Sequence, residues 1–437
     1  MPASLLERFR QAYRDLDLFP LLSAQQIEDF RVDYGQDTLA RLEQAIDDAD
    51  QDGKLIFSGH RGCGKSTLLA RFGREMMQQG YFVVFFSIAE MVEMSAVDHI
   101  NILYAIAVQL LSKATERQVP IPPKEKDAIL TWLATTRTET TSRSLTGEAG
   151  IGGDILKLVT AKLKTESTFR EEIKRTYERR ISELVEKVET IAKCVRDATK
   201  KEVLVIIDDL DKLDLKLVEE IYKKNINALF QPKIRIVFTI PIAVIRDIEL
   251  RTILQTASGS PIQQMEVVKF FSRENRHRSG AVPEESKVRL LLEVLQRRIE
   301  SDLIEPDTAH ELILSSGGVM RELVRIARAC CSQCLLLLRR EPERTEIKIT
   351  DEILELALRD LRNDFAASLG TSRYQILATT YHHGEPEEVN DPEFLLLLHG
   401  LYVLEYRNGD LWYDVHPMLL ELLKRRNLIE TESEQDG

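Results

Sequence analysis

Lys54-Leu55-Ile56-Phe57-Ser58-Gly59-His60-Arg61-Gly62-Cys63-Gly64-Lys65-Ser66-Thr67 decides how the rest of this chain is read. Leu55, Ile56 and Phe57 read as a strand buried on both faces, a glycine-rich turn follows, and Leu68, Leu69 and Phe72 give the next helix its apolar face. Gly59 to Ser66 fits G-x-x-x-x-G-K-[ST], in which glycines let successive backbone N–H groups converge on phosphate oxygens. Gly59, His60, Arg61, Gly62, Cys63, Gly64, Lys65, Ser66 and Thr67 are therefore the expected cradle for a nucleotide's phosphates. Lys65 is expected to reach the outer phosphates and Ser66 to offer its hydroxyl to Mg²⁺. The helix beginning near Lys65 aims the positive end of its dipole at the anion. The same N–H groups are expected to favour a reactive thiolate at Cys63.

Downstream, the apolar run Tyr81 to Ile88 suits a buried strand and Ala96 to Leu111 an apolar helix. Strand, helix, strand, helix predicts a parallel sheet with right-handed crossovers. Val203 to Ile207 is a further buried strand, and it ends in Asp208-Asp209-Leu210-Asp211. Acids at that point suit Asp208 to hold Mg²⁺, directly or through water, and Asp209 to orient or deprotonate an attacking water. Ile234 to Ile240 supplies another strand, whose Thr239 is expected to face the same crevice and contact the γ-phosphate or its water. Ile262 to Phe270 reads as the fifth strand.

Between these strands lies a long insertion, 112–201, opening with Pro120, Pro122 and Pro123 and passing through a loosely ordered Thr135 to Gly153. In its second half Ile173, Tyr177, Ile181, Leu184, Val188, Ile191 and Val195 recur at helical spacing, predicting one long amphipathic helix. Its seam either packs on the chain's own core or meets a partner.

Composition sets bounds on function. At 437 residues and 43% apolar content the chain can build several cores, and a net charge of −12 repels nucleic acid over distance. Met1-Pro2-Ala3-Ser4 leads into a charged amphipathic helix rather than an export signal, and the longest apolar runs are too short to span a membrane, so a cytoplasmic location is expected by default. Five cysteines suit a reducing compartment. Cys330, Cys331 and Cys334 fall in an apolar helical stripe and read as core thiols rather than metal ligands.

Ser4 and Glu7 suggest a capping box on a first docking helix. After Ser272 the pattern is helical, interrupted at Ser315-Ser316-Gly317-Gly318-Val319-Met320-Arg321, where Arg321 is either a surface residue or a hand reaching back to the phosphates. Arg273, Arg276, His277 and Arg278 form a short basic cluster with a conceivable nucleic-acid role. Near the end, Tyr402 to Arg407 and Asp410 to Val415 flank Asn408-Gly409, a strong hairpin signal after helices, as in a winged helix. Residues 366–425 hold nine acidic against four basic side chains, and the helix Asp391 to Leu398 is acidic and greasy. Such a face suits a protein rather than DNA.

With both motifs, Thr239 and the Gly-Gly-x-x-Arg segment in hand, the chain resembles an AAA+ ATPase. It is most similar to the branch shared by origin-recognition-like and STAND ATPases. The resemblance implies an α/β core with a parallel five-stranded sheet at 36–271, a helical lid at 272–369 and a winged-helix-like domain with an acidic tail at 370–437, behind an N-terminal helical segment at 1–35. It implies ATP and Mg²⁺ as cofactors, Asp209, Lys65, Thr239 and Arg321 as the catalytic set, and Ser66 and Asp208 as metal ligands. The expected function is a slow ATPase switch acting through protein partners, via the 170–198 helix or the C-terminal domain, in a bacterial regulatory or defence-type system. The alternative is a DNA-binding initiator or transposition-type ATPase. Nucleotide-dependent self-assembly stays open, with Arg246 and Arg251 as candidate arginine fingers. Three departures stand out: Asp-Asp replaces the Asp-Glu of most motors, Phe30 to Tyr34 replaces the usual N-terminal signature, and the 112–201 insertion lengthens the interval between the two motifs far beyond a minimal module, which counts against a plain ring motor.

Overall fold

The computed structural model describes residues 4–135 and 152–430, apart from Ser279, Pro342, Thr345, Ser368 and Gly409. Most of the Thr135 to Gly153 stretch, the glycine of the Asn408-Gly409 turn and the acidic end after 430 therefore lie outside the described residues. The chain divides into two compact units, one comprising 37–58 and 68–264, the other 1–36, 59–67 and 265–437.

The first of these is built on a parallel five-stranded sheet, β1 (Lys54–Gly59), β2 (Phe82–Ser87), β3 (Val203–Asp208), β4 (Arg235–Pro241) and β5 (Gln263–Met265), in the order β2-β3-β4-β1-β5. Val203 to Asp208 is buried throughout, as a central strand covered on both faces requires. The registers Phe82↔Val203 and Val205↔Ile236 bring Ser87 opposite Asp208. β5 is far shorter than the apolar run suggested. Beyond Met265 the backbone bonds elsewhere, with Val268 N donating to Gly318 O (3.2 Å) and Phe270 O accepting from Glu284 N (2.8 Å). At the other end of β1, the Lys54 ammonium is buried on the carbonyls of Asp52, Pro232 (2.9 Å) and Ile234 (3.0 Å), and desolvation pushes it down to about 8.

Helix His99–Glu116 is buried over most of its length, which explains its almost continuous apolar sequence. The insertion packs on it. The expected single long helix is in fact two, Ser167–Tyr177 and Ile181–Thr199, broken at residues 178–180. The break lets Phe169 pack edge-on against Tyr104 (6.2 Å between centroids) while the Trp132 indole N–H reaches the Tyr177 hydroxyl (2.6 Å). Ile173, Tyr177, Leu184, Val188, Ile191 and Val195 are all buried. The seam is internal packing, the first of its two expected readings: these six side chains are buried, with Ile181 half-buried, and are not offered to the partner that the other reading gave the 170–198 helix.

The second unit is helical apart from one hairpin. Its first helix, Leu5–Asp15, buries Phe9 and Ala12, and Leu16 follows them, in contact with helix Met320–Arg340. Ser4 accepts from Glu7 N (3.3 Å), but Glu7 pairs with Arg10 (2.5 Å) rather than reaching back, so only half of the capping box forms. Cys330, Cys331 and Cys334 are buried on the Met320–Arg340 helix, and burial pushes the Cys334 thiol up to about 12. Helices Thr371–His383 and Pro392–His399 precede the antiparallel hairpin β6 (Val403–Asn408) and β7 (Asp410–Val415). The greasy helix buries Phe394, Leu397 and Leu398 and leaves only Leu396 of its apolar residues notably exposed. Past the hairpin, His416 is fully buried against Phe365 (5.4 Å), its Nδ1 accepting from Met418 N (3.2 Å). Burial, with the Arg325 charge nearby, pushes this imidazole down to about 3.

Candidate functional site

The phosphate loop belongs to the helical unit. Gly59, Gly62 and Gly64 adopt φ of 150°, 79° and 103°, and helix Lys65–Gln78 starts at the lysine. A side chain at Gly62 would face more than the wrong backbone region, since a Cβ there would stand 2.6 Å from the Cβ of Arg321. The contact is close because Arg321 N donates to Gly62 O (3.0 Å). Arg321 therefore stands against the loop rather than on an idle surface. Lys65 is buried, its ammonium donating to the carbonyls of Gly59 and His60 (both 2.8 Å). Ser66 and Thr67 are half-buried, and Thr67 Oγ1 accepts from Leu21 N (3.1 Å).

The loop's unconstrained positions carry contacts that the motif did not announce. His60 is buried and its Nε2 accepts from Glu405 N (2.8 Å) on β6, so that nitrogen carries no proton. The Arg61 guanidinium meets His399 Nε2 (2.5 Å) at the end of the greasy helix. The Tyr406 hydroxyl donates to Gly317 O (3.0 Å), and Gly317 is so close to Leu404 that a Cβ would lie 2.6 Å from it. The C-terminal hairpin thus holds both the loop and the Gly-Gly turn before Arg321. Cys63, expected to be a reactive thiolate, is 1% exposed with its sulfur facing the Met265 carbonyl (4.0 Å), so a reagent has little access to it.

The acid cluster belongs to the α/β unit. Asp208 and Asp211 are buried, Asp209 is nearly so, and ligand oxygens of all three lie within 4.8 Å of one another. Asp211 had no role assigned from sequence. The 3₁₀ turn Leu210–Lys212 brings it round, and the three-residue spacing from Asp208 was the available signal. Hard carboxylate oxygens gathered this way fit a divalent cation such as Mg²⁺. Asp209 adopts a left-handed conformation, φ 69°. One of its oxygens accepts from Ser87 Oγ (2.6 Å) and the other pairs with Lys212 Nζ (2.5 Å). Thr239 is fully buried, its hydroxyl donating to Ile207 O (3.1 Å) and accepting from Leu210 N (3.0 Å). That hydroxyl's proton goes to β3, and its oxygen, by accepting from Leu210 N, pins the acid turn to β4.

Other singled-out residues fall as follows. Arg246 is buried, and Arg251 is exposed on helix Ile248–Ser258. The basic cluster is largely consumed inside the helical unit. Arg273 donates to His383 O (2.9 Å) and Arg276 to Tyr381 O (3.0 Å), capping the negative end of helix Thr371–His383. His277 bonds Asp414 (3.0 Å) and stacks on Tyr381. Arg278 remains exposed. No helix among the described residues is long and apolar enough to cross a membrane.

No curated protein matches the chain. Among solved structures, that of the Aeropyrum pernix ORC1 protein in complex with DNA matches at 11% identity, over 93% of this chain and 97% of that one. Its TM-score of 0.37 is too low to carry an argument. Residues 39–243, just under half of the chain, match the family model described as the KAP family P-loop domain, and with the loop and sheet above they make this segment a P-loop NTPase domain similar to that family's.

Proposed function

We propose that the protein is an ATP-binding and ATP-hydrolysing switch that acts through protein partners. The observation that carries this reading is the loop itself: glycines at positive φ in the G-x-x-x-x-G-K-S spacing, with Lys65 opening the following helix. In this reading the loop N–H groups and Lys65 bind the phosphates, Ser66 and Asp208 hold Mg²⁺, and Asp209 orients the attacking water. Mg²⁺, when bound, neutralises charge on the phosphates. Thr239 acts by fixing the acid turn, and Arg321, tied to Gly62 through its backbone, couples the loop to the helical lid.

A switch rather than a motor is favoured by the bonds from His60 and Arg61 to the tail, since a loop reshaped by nucleotide would disturb both. Protein partners are favoured over nucleic acid by the acidic tail and by the internal use of Arg273 and Arg276. In Lys65→Ala, ATP affinity is expected to fall at least about a hundredfold in protein whose helical content matches the parent's. Unchanged affinity in a titration with labelled ATP would falsify the assignment. Mass measured with ADP, with an ATP analogue and without nucleotide tests self-assembly, for which the exposed Arg251 is the candidate trans-acting residue.

A further inference from the structure

We propose that Lys212 restrains Asp209, holding its carboxylate back until the ammonium lets go; this rests on the reading of Asp209 as the water-orienting acid. Both Asp209 oxygens already have donors, Ser87 Oγ at 2.6 Å and Lys212 Nζ at 2.5 Å. Each oxygen keeps a second lone pair, but a carboxylate held at both oxygens has lost the freedom to turn and line up a water. The restraint is local and preformed. The left-handed Asp209 and the 3₁₀ turn after it bring residue 212 back over residue 209, with Lys212 N donating to Asp209 O (3.1 Å). Thr239 ties the same turn to β4 through Leu210 N, so the geometry does not depend on any distant element closing.

Of the two donors, Lys212 is the one able to leave. Asp209 is 13% exposed while the Lys212 side chain is 37% exposed, on a long flexible stem with water within reach. A partly exposed ion pair has only modest strength, which makes it a threshold rather than a permanent block. Lys212 is thus a positioning residue, not a catalytic one.

The test uses the full chain with Lys212→Met and Lys212→Arg, reading single-turnover ATP hydrolysis, ATP affinity, and amide hydrogen exchange over 210–213 without nucleotide. Lys212→Met is expected to hydrolyse about three to ten times faster at unchanged affinity and to exchange those amides faster, while Lys212→Arg keeps the parental values. Slower or unchanged hydrolysis in the methionine variant, with affinity intact, overturns the proposal. If the parent binds no ATP, the nucleotide reading fails separately, and exchange alone decides: unchanged protection in Lys212→Met overturns the restraint. Lys212→Gln replaces the methionine variant should that one not fold.

Discussion

The phosphate loop takes its support from far along the chain, whereas the acid turn is held mostly by its own neighbourhood. His60 and Arg61 bond to residues 345 and 338 positions away, and Gly62 is bonded by Arg321. Asp209 is paired with Lys212 three residues on, and the turn is pinned by Thr239 on the adjacent strand and Ser87 at the end of β2. A loop assembled from distant pieces senses the arrangement of those pieces. An acid turn built on a buried sheet keeps its shape irrespective of them. On the proposed function, binding and chemistry are therefore expected to be separable by mutation.

Beyond the loss of binding expected for Lys65→Ala, the largest separable effect concerns acid. His416 holds its imidazole at about 3 against an ordinary 6.5, so its contribution is present above pH 6.5 and is lost as the pH falls towards 3. The unfolded chain takes up the proton first, at a cost of up to about 1.4 kcal/mol per pH unit. Melting temperature should fall steeply across that interval in the parent and less steeply in His416→Asn; parallel curves would place the acid lability elsewhere.

Gly62→Ala comes next. It forces a β-carbon into φ 79° and against Arg321, and should cost about 2–3 kcal/mol in urea unfolding together with nucleotide affinity. Parental stability would mean that the loop is not pressed on Arg321. Thr239→Val is the smallest, about 1–3 kcal/mol, because it orphans the buried Leu210 N–H. Hydrolysis should drop while ATP affinity holds. A fall in affinity at intact stability would show Thr239 acting on the nucleotide directly and would blur the division between loop and turn.

The phosphate loop and the acid turn differ equally in what sequence could reveal. Lys65 and Asp208 were legible because phosphate and cation chemistry fixes residue type at fixed spacing. The partners of His60 and Arg61 were not, since these fill the motif's unconstrained positions and tertiary packing alone chooses their contacts. The same limit explains the helix break at 178–180, where Glu178-Arg179-Arg180 contains no proline or glycine to mark it. Periodicity identified the buried seam residues correctly but could not say what they face. The run Ile262 to Phe270 was apolar enough for a strand. Its later residues spend their backbone groups on a glycine turn and the start of a helix instead. Charge counting failed in a similar way at Arg273 and Arg276, whose guanidiniums end a helix.

The left-handed backbone at Asp209 changes what the Asp-Asp pair means. Side chains with a short polar branch tolerate that region far better than longer ones, and Asp is among the few that do so routinely. The cost of that region arises at Cβ and is common to glutamate, and Gln118, Lys200 and Leu401 adopt it elsewhere in this chain; what aspartate adds is a short polar branch that can bond the local backbone. The turn's handedness therefore favours aspartate at this position without excluding longer side chains, a preference of the backbone that is independent of any role in chemistry.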